Sequence, residues 1–289
     1  MTFCRKYVKI IIGNLADFAD SPKGVDLSAT VRNFCGCQSC ERISMKDIIV
    51  IASGKGGTGK STVAVGLGTS LASTGHRVLL IDCDSGMRGL DIMLGIEQTL
   101  VFDIADAVSG SCTVENTVYP CPGKQGLFLM PAPLNAYDEI APQVLGQLVE
   151  GVADIFDYVI IDSPAGVGSG FDAAAFPATR GLVVVNTEPT SIRGGQTVAA
   201  KLRSLGIDDI RLVINRFNRQ TFHKMGLYED LDEIIDITSL QLIGIVPEDY
   251  QLAAAIQSGK GGSENTVGMK CLGRIARRIE GIREPLLIK

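Results

Sequence analysis

The densest chemistry in the chain lies in nine consecutive residues, Gly54-Lys55-Gly56-Gly57-Thr58-Gly59-Lys60-Ser61-Thr62. Glycines let the backbone wrap closely around an anion and turn successive N–H groups toward it. A helix that starts near Lys60 adds the positive end of its dipole. Lys60 supplies a cation for the β- and γ-phosphates of a nucleotide, and the Ser61 hydroxyl suits a Mg²⁺ ion. The loop needs a strand before it and a helix after it, and both patterns are present, in Asp47–Ala52 and Ser61–Thr74. The expected ligand is therefore a nucleotide phosphate chain with Mg²⁺.

Carboxylates stand at the ends of two further apolar runs. Leu80-Ile81 leads into Asp82-Cys83-Asp84-Ser85-Gly86, and Tyr158-Val159-Ile160-Ile161 leads into Asp162-Ser163-Pro164-Ala165-Gly166. Four apolar residues ending in aspartate place a carboxylate at a strand's carboxyl end, where it can hold Mg²⁺, largely through water. A carboxylate near a γ-phosphate can orient a water even though it is a weak base, and one near Mg²⁺ can support the metal shell. Taken alone, D-x-D is weak evidence, because acidic residues are common in turns. Two later runs end in Asn215-Arg216 and in Pro247-Glu248-Asp249. The Asn215 amide carries both donor and acceptor and could meet the edge of a base; an asparagine that merely ends a strand would look the same.

The elements that must position these residues alternate from Met45 onward. Short runs rich in Val, Ile and Leu occupy Asp47–Ala52, Arg77–Ile81, Gly126–Met130, Tyr158–Ile161, Gly181–Asn186, Ile210–Asn215 and Leu240–Ile245. Near-continuous apolarity marks parallel strands covered on both faces. Between them lie helical patterns at Ser61–Thr74, Pro142–Ala153, Ile192–Leu205, Leu227–Asp236 and Gln251–Ser258, with a last one at Met269–Arg283. Alternation of this kind predicts an α/β fold: a doubly wound, mostly parallel sheet with helices on both faces. Ligands bind at the carboxyl ends of strands in such sheets, where the motifs fall.

With 289 residues, 46% hydrophobic and 20% charged, the chain has an ordinary globular composition. Its net charge of −5 makes no general electrostatic case for nucleic acid. No apolar run is long enough to span a bilayer and no signal peptide is evident, so the cytoplasm is the expected compartment, with peripheral contact at the membrane left open.

The loop GKGGTGKST resembles the deviant Walker A motif of the MinD/ParA family of ATPases, whose extra lysine stands where Lys55 does here. The D-x-D turn is similar to that family's switch I, and DSPAG to switch II of its MinD branch. The resemblance runs from Met45 to about Glu284. It implies ATP and Mg²⁺ as cofactors, hydrolysis of ATP to ADP and phosphate, and a homodimer when ATP is bound. In it Lys55, Lys60 and Asp84 act in catalysis, and Ser61, Asp84 and Asp162 serve the metal. Gly54, Lys55, Gly56, Gly57, Thr58, Gly59, Lys60, Ser61 and Thr62 bind the nucleotide, with Asn215, Pro247 and Glu248 on the adenine side. A lysine delivered across an interface couples dimerisation to charge stabilisation, as an arginine finger does. The implied function is an ATP-dependent dimerisation switch in cell-division site placement or related positioning, with a protein partner that activates hydrolysis. The alternatives are a ParA-type DNA-partitioning ATPase, which the acidic balance disfavours, and an Fe–S or metal-carrier ATPase.

Two regions depart from the family. Residues 1–44 form an extension that holds Cys4, Cys35, Cys37 and Cys40. Four thiolates could take Zn²⁺ or an Fe–S cluster, yet C-x-C-x₂-C lacks the paired C-x₂-C units of familiar zinc modules; an upstream start codon is the other explanation. At the far end, members of the MinD branch carry a short amphipathic membrane helix. Here only Leu286-Leu287-Ile288-Lys289 follow Pro285, too few for such a helix, so autonomous membrane attachment is not expected. The remaining cysteines, Cys83, Cys112, Cys121 and Cys271, read as reduced thiols.

Overall fold

The structure is a computed structural model, and it describes residues 47–135, 140–262 and 265–286. The expected extension at 1–44, with its boundary and its cysteine cluster, lies outside the described residues.

Eight strands form one sheet in the order β3-β4-β2-β5-β1-β6-β7-β8. They are β1 (Asp47–Ala52), β2 (Val78–Asp82), β3 (Tyr119–Pro120), β4 (Leu127–Met130), β5 (Tyr158–Asp162), β6 (Arg180–Val185), β7 (Ile210–Phe217) and β8 (Gln241–Pro247). Every pairing is parallel except β3 with β4. The doubly wound parallel sheet expected from the alternating runs is the one observed. The antiparallel edge strand β3 was not anticipated. Two residues carrying a proline leave no apolar run to read, and proline is tolerated at an edge because it need not donate to a ladder.

Helices cover both faces. On one lie α1 (Lys60–Ser73), α2 (Leu90–Leu94), α9 (Tyr250–Gln257) and α10 (Val267–Ile279); on the other lie α3 (Ile104–Val108), α4 (Pro142–Ala153), α5 (Ser169–Ala175), α6 (Pro189–Ser204), α7 (Arg219–Met225) and α8 (Leu231–Thr238). β1 shows how the two cores divide: Ile48, Val50 and Ala52 join one, while Ile49 and Ile51 join the other. All five are buried, as alternation across a strand requires when neither face meets water. Each such aliphatic side chain contributes roughly 1.5–3 kcal/mol on burial.

Helix ends differ from the periodicity where a cap decides. α6 begins at Pro189, because proline is preorganised for the first helical position. α8 begins at Leu231 instead of Leu227, since the Asp230 carboxylate accepts the N–H groups of Asp232 and Glu233. α10 stops at Ile279, short of Arg283, and Gly281 follows with φ 81°.

The nucleotide-loop helix α1 is apolar on nearly all sides because it is sandwiched. Its Gly66 leaves no room for a Cβ against Leu272 of α10, and its Gly68 none against Leu80 of β2. Placing β2, β5 and β1 side by side brings their carboxyl ends, and the loop after β1, to one edge of the sheet.

Candidate nucleotide site

The loop between β1 and α1 is shaped by glycine where the backbone demands it. Gly57 and Gly59 take φ of 80° and 89°, the left-handed region in which a Cβ is strained. Gly59 also caps α1, and a side chain there would run into the Asn215 amide. Gly54 lies against the backbone of Gly194 in α6, each excluding a Cβ on the other. Among the described residues, no N–H from Gly54 to Thr62 donates to a backbone acceptor. The loop therefore presents an unspent set of donors at the positive end of α1.

Lys60 is buried at the first turn of α1, and Thr58 is buried beside it with its hydroxyl oxygen unpartnered. Ser61 and Thr62 are half-buried. Across from them Asp162 ends β5, buried, with one carboxylate oxygen lacking a hydrogen-bond partner. Burial pushes the Asp162 carboxyl up to about 7; Asp82 and Asp84 add to the rise, while Lys60 and a hydrogen bond from Ser61 oppose it. A buried carboxylate with a free oxygen, close to Lys60 and Ser61, and a buried Thr58 hydroxyl with no bond made are polar groups that an ion and a phosphate chain would satisfy. The residues present therefore fit Mg²⁺ and a nucleoside polyphosphate. Among the described residues, no group of three or more His, Cys, Asp and Glu side chains is placed to hold a metal unaided.

Asp82 does something other than line that pocket. One oxygen accepts the N–H of Asp84 at 3.0 Å, and the other accepts those of Gly89 and Leu90, both at 3.1 Å. It is buried, and it organises the 83–90 loop instead of standing free for a metal shell. Burial raises its pKa while the three N–H groups oppose the rise. Arg88 and Asp91 close the same loop with a largely buried ion pair of 2.7 Å. Asp84 is half-buried at the loop's start. The 163–166 turn is tied to the phosphate loop as well: the Ser163 hydroxyl donates to Ile51 O at 2.9 Å, and Gly166 N–H to Ser53 O at 2.9 Å.

Lys55 points away from its own loop. Its ammonium donates to the carboxylate of Glu188, the residue just before α6, and lies 3.4 Å from the Thr190 hydroxyl. The bond from Lys55 holds Glu188 below the ordinary carboxylate range. Nothing local signals this pair, whose members lie 133 positions apart.

On the expected adenine side, Asn215 is buried and its amide nitrogen donates to Thr58 O at 2.8 Å. That bond ties Asn215 to the phosphate loop as a buttress, and leaves its second N–H and its oxygen for another partner. Glu248 accepts from the Asn218 amide at 3.2 Å, and its N–H donates to Phe217 O at 2.9 Å, which seats Pro247 and Glu248 beside the end of β7. Arg216, between them, has φ 53°, one of two non-glycine residues with positive φ among those described. Cys83, Cys112, Cys121 and Cys271 are free thiols, and burial pushes Cys121 up to about 12.

Residues 49–262 match the sequence model of the CobQ/CobB/MinD/ParA nucleotide binding domain. The septum site-determining protein MinD of Synechocystis sp. is 36% identical over 247 residues, covering 84% of this chain and 92% of that protein. The MinC:MinD cell division protein complex of Aquifex aeolicus contains a chain of the same fold, with a TM-score of 0.77 and 34% identity over 84% of this chain and 99% of that one. Septum site-determining protein MinD of Pyrococcus horikoshii, complexed with Mg-ADP, shares the fold with a TM-score of 0.71 at 23% identity, covering 82% and 96%. A match over most of the chain, a relative at more than a third identity and a loop built as described lead to one statement: the chain belongs to the CobQ/CobB/MinD/ParA nucleotide-binding family, in which it is MinD-like.

Proposed function

We propose that this MinD-like ATPase works as an ATP-dependent dimerisation switch, in cell-division site placement or a related intracellular positioning task. The observation that carries the proposal is the placement of Lys55, which bonds to Glu188 instead of to the buried groups of its own loop. A cation parked outside its own nucleotide site is available to a facing one.

In this reading the Gly54–Thr62 amides and the Lys60 ammonium bind the phosphate chain and neutralise it as charge develops. Mg²⁺, when bound, would supply Lewis-acid charge withdrawal from the phosphate chain. Ser61 and Asp162 would hold it, with Asp84 at the edge of the same shell. The Asp84 carboxylate orients a water in line with the γ-phosphorus; the water oxygen bonds to phosphorus as the bond to the ADP oxygen breaks. Asp82, Arg88 and Asp91 fix the loop that carries Asp84. Asn215 buttresses Thr58, and the 247–248 backbone flanks the base. Lys55 leaves Glu188 and reaches the nucleotide of a second copy, and a protein partner triggers turnover, as the MinC:MinD complex of the Aquifex relative suggests for partner binding. No described helix is long and apolar enough to cross a membrane. DNA is not the partner that a net charge of −5 favours.

Phosphate release from the full chain tests the roles. Lys60→Ala should abolish tight ATP binding. Asp84→Ala should keep ATP bound while turnover falls by about 10²-fold or more. Wild-type turnover in Asp84→Ala would overturn the assignment.

A further inference from the structure

A second polar cavity lies at the opposite end of the sheet from the nucleotide loop. It has a volume of about 750 Å³ and opens between the last turns of α1, the turn at 123–126 and one side of α10. Helix α1 has 14 residues, so it carries the phosphate loop at its start and this groove at its end, about 21 Å away.

The groove's charge is one-sided. His76, Arg77, Lys124, Lys270 and Arg277 line it, and no carboxylate does among the described residues. Two of these side chains are held from behind: His76 by Glu280 at 2.6 Å with Asp157 at 3.8 Å, and Arg277 by Glu284. The Arg77 guanidinium rests over the rings of Phe128 and Phe156. Lys124 and Lys270 have no carboxylate partner among the described residues. Lys124 is half-buried, and burial keeps its ammonium below the usual lysine pKa. A desolvated ammonium with no counter-charge is unfavourable alone and is relieved by an anion. The carbonyls at the end of α1, which would repel an anion, are already capped: Leu71 O accepts from Thr74 and His76, and Ala72 O from Gly75.

A glycine supplies the second, independent observation. Gly273 sits inside α10, where glycine is unfavourable relative to alanine. Close packing explains its neighbours in kind: Gly268 has no room for a Cβ against Leu252, and Gly66 none against Leu272. At Gly273 a Cβ would meet nothing nearer than the Ser70 hydroxyl, at 3.9 Å. Helix packing therefore does not require glycine there. What its missing side chain does is leave the groove open along α10.

We infer that the groove between α1 and α10 is a binding site for a phosphate-bearing anion, with Lys124 at its floor, Lys270 and Arg277 on its wall, and Gly273 keeping it clear. The anion is a free phosphate compound or a phosphate displayed on a lipid headgroup; both present the same oxygens to the same cations.

Calorimetric titration of the full chain with inorganic pyrophosphate tests this, with the phosphate loop first filled by excess ADP. One further site is expected. It should weaken at least tenfold in Lys124→Gln and in Lys270→Gln, and vanish in Gly273→Leu. Lys224→Gln, an exposed lysine remote from the groove, should leave it unchanged, and ADP affinity should move less than twofold in every variant. A second arm compares sedimentation with phosphatidylglycerol and phosphatidylcholine vesicles. Retention on the first alone, lost in the groove variants but without pyrophosphate binding, would support the site and assign its phosphate to a headgroup. Binding of either probe that is indifferent to Lys124, Lys270 and Gly273, or no binding of either, overturns the inference.

Discussion

Asp162 illustrates how a residue can be obvious in type and still hide its physics. A carboxylate after Tyr158-Val159-Ile160-Ile161 was legible; its elevated pKa was not, because that depends on burial and on Asp82 and Asp84 arriving from a different strand. The sign of its effect is definite. With a folded pKa of about 7 against an ordinary value of 3.8, the folded protein binds the proton more tightly than the unfolded chain. Without nucleotide or metal, this group should therefore make stability fall as pH rises between about 4 and 7. Asp162→Asn should stabilise the nucleotide-free protein at pH 8 by on the order of 2–4 kcal/mol, an advantage that disappears near pH 4. Thermal unfolding across pH checks it, and a pH-independent difference would rule out titration of Asp162 as the cause. Lys55 and Glu188 lie at the other extreme. Their side chains are 45% and 51% exposed, so the pair contributes at most about 1 kcal/mol. Glu188→Ala should leave stability within that margin and favour release of Lys55 by no more than about fivefold per subunit, read as a lower protein concentration for ATP-driven dimerisation.

At the scale of elements, the central strands were readable because burial on both faces writes itself as uninterrupted Val, Ile and Leu. β1, β2 and β5 lie within a residue of their expected bounds. The short helices α2, α3, α5 and α7 were missed. Each is five or seven residues long, too short to show a period, and is held by contacts made elsewhere, as α2 is by the N–H bonds to Asp82 and the Arg88–Asp91 pair. At the last helix, Leu272, Ile275, Ile279 and Ile282 fall at helical spacing, which predicts a stripe packed on the domain; Ile282 lies beyond the helix end and is exposed. Leu272, Ile275 and Ile279 are buried against α1, β8 and their surroundings, not offered to a membrane. Leu272→Ala should cost about 2–5 kcal/mol in denaturant unfolding, through lost burial and a cavity over Gly66. ADP affinity of the folded fraction should change little, since the loop donors lie at the far end of α1; a large loss of affinity would mean that α10 positions the loop.

At the scale of the whole molecule, a face-to-face dimer is the claim on which the roles of Lys55 and Asp84 depend together. The motifs pointed to it, and the placement of Lys55 against Glu188 gives it a mechanism: a monomer that holds its own signature lysine in reserve. On the proposed roles, assembly and turnover are separable: the loop, Lys60 and Asp162 would bind ATP, whereas Asp84 would serve attack by water. Sedimentation velocity of the full chain with Mg-ATP or Mg-ADP, in wild type, Asp84→Ala and Lys55→Ala, tests this most directly. A dimerisation switch requires a stable dimer for Asp84→Ala with ATP and a monomer with ADP, and no ATP-driven dimer for Lys55→Ala. A mass that is the same with either nucleotide in Asp84→Ala, or a dimer in Lys55→Ala as tight as that of Asp84→Ala, would contradict it.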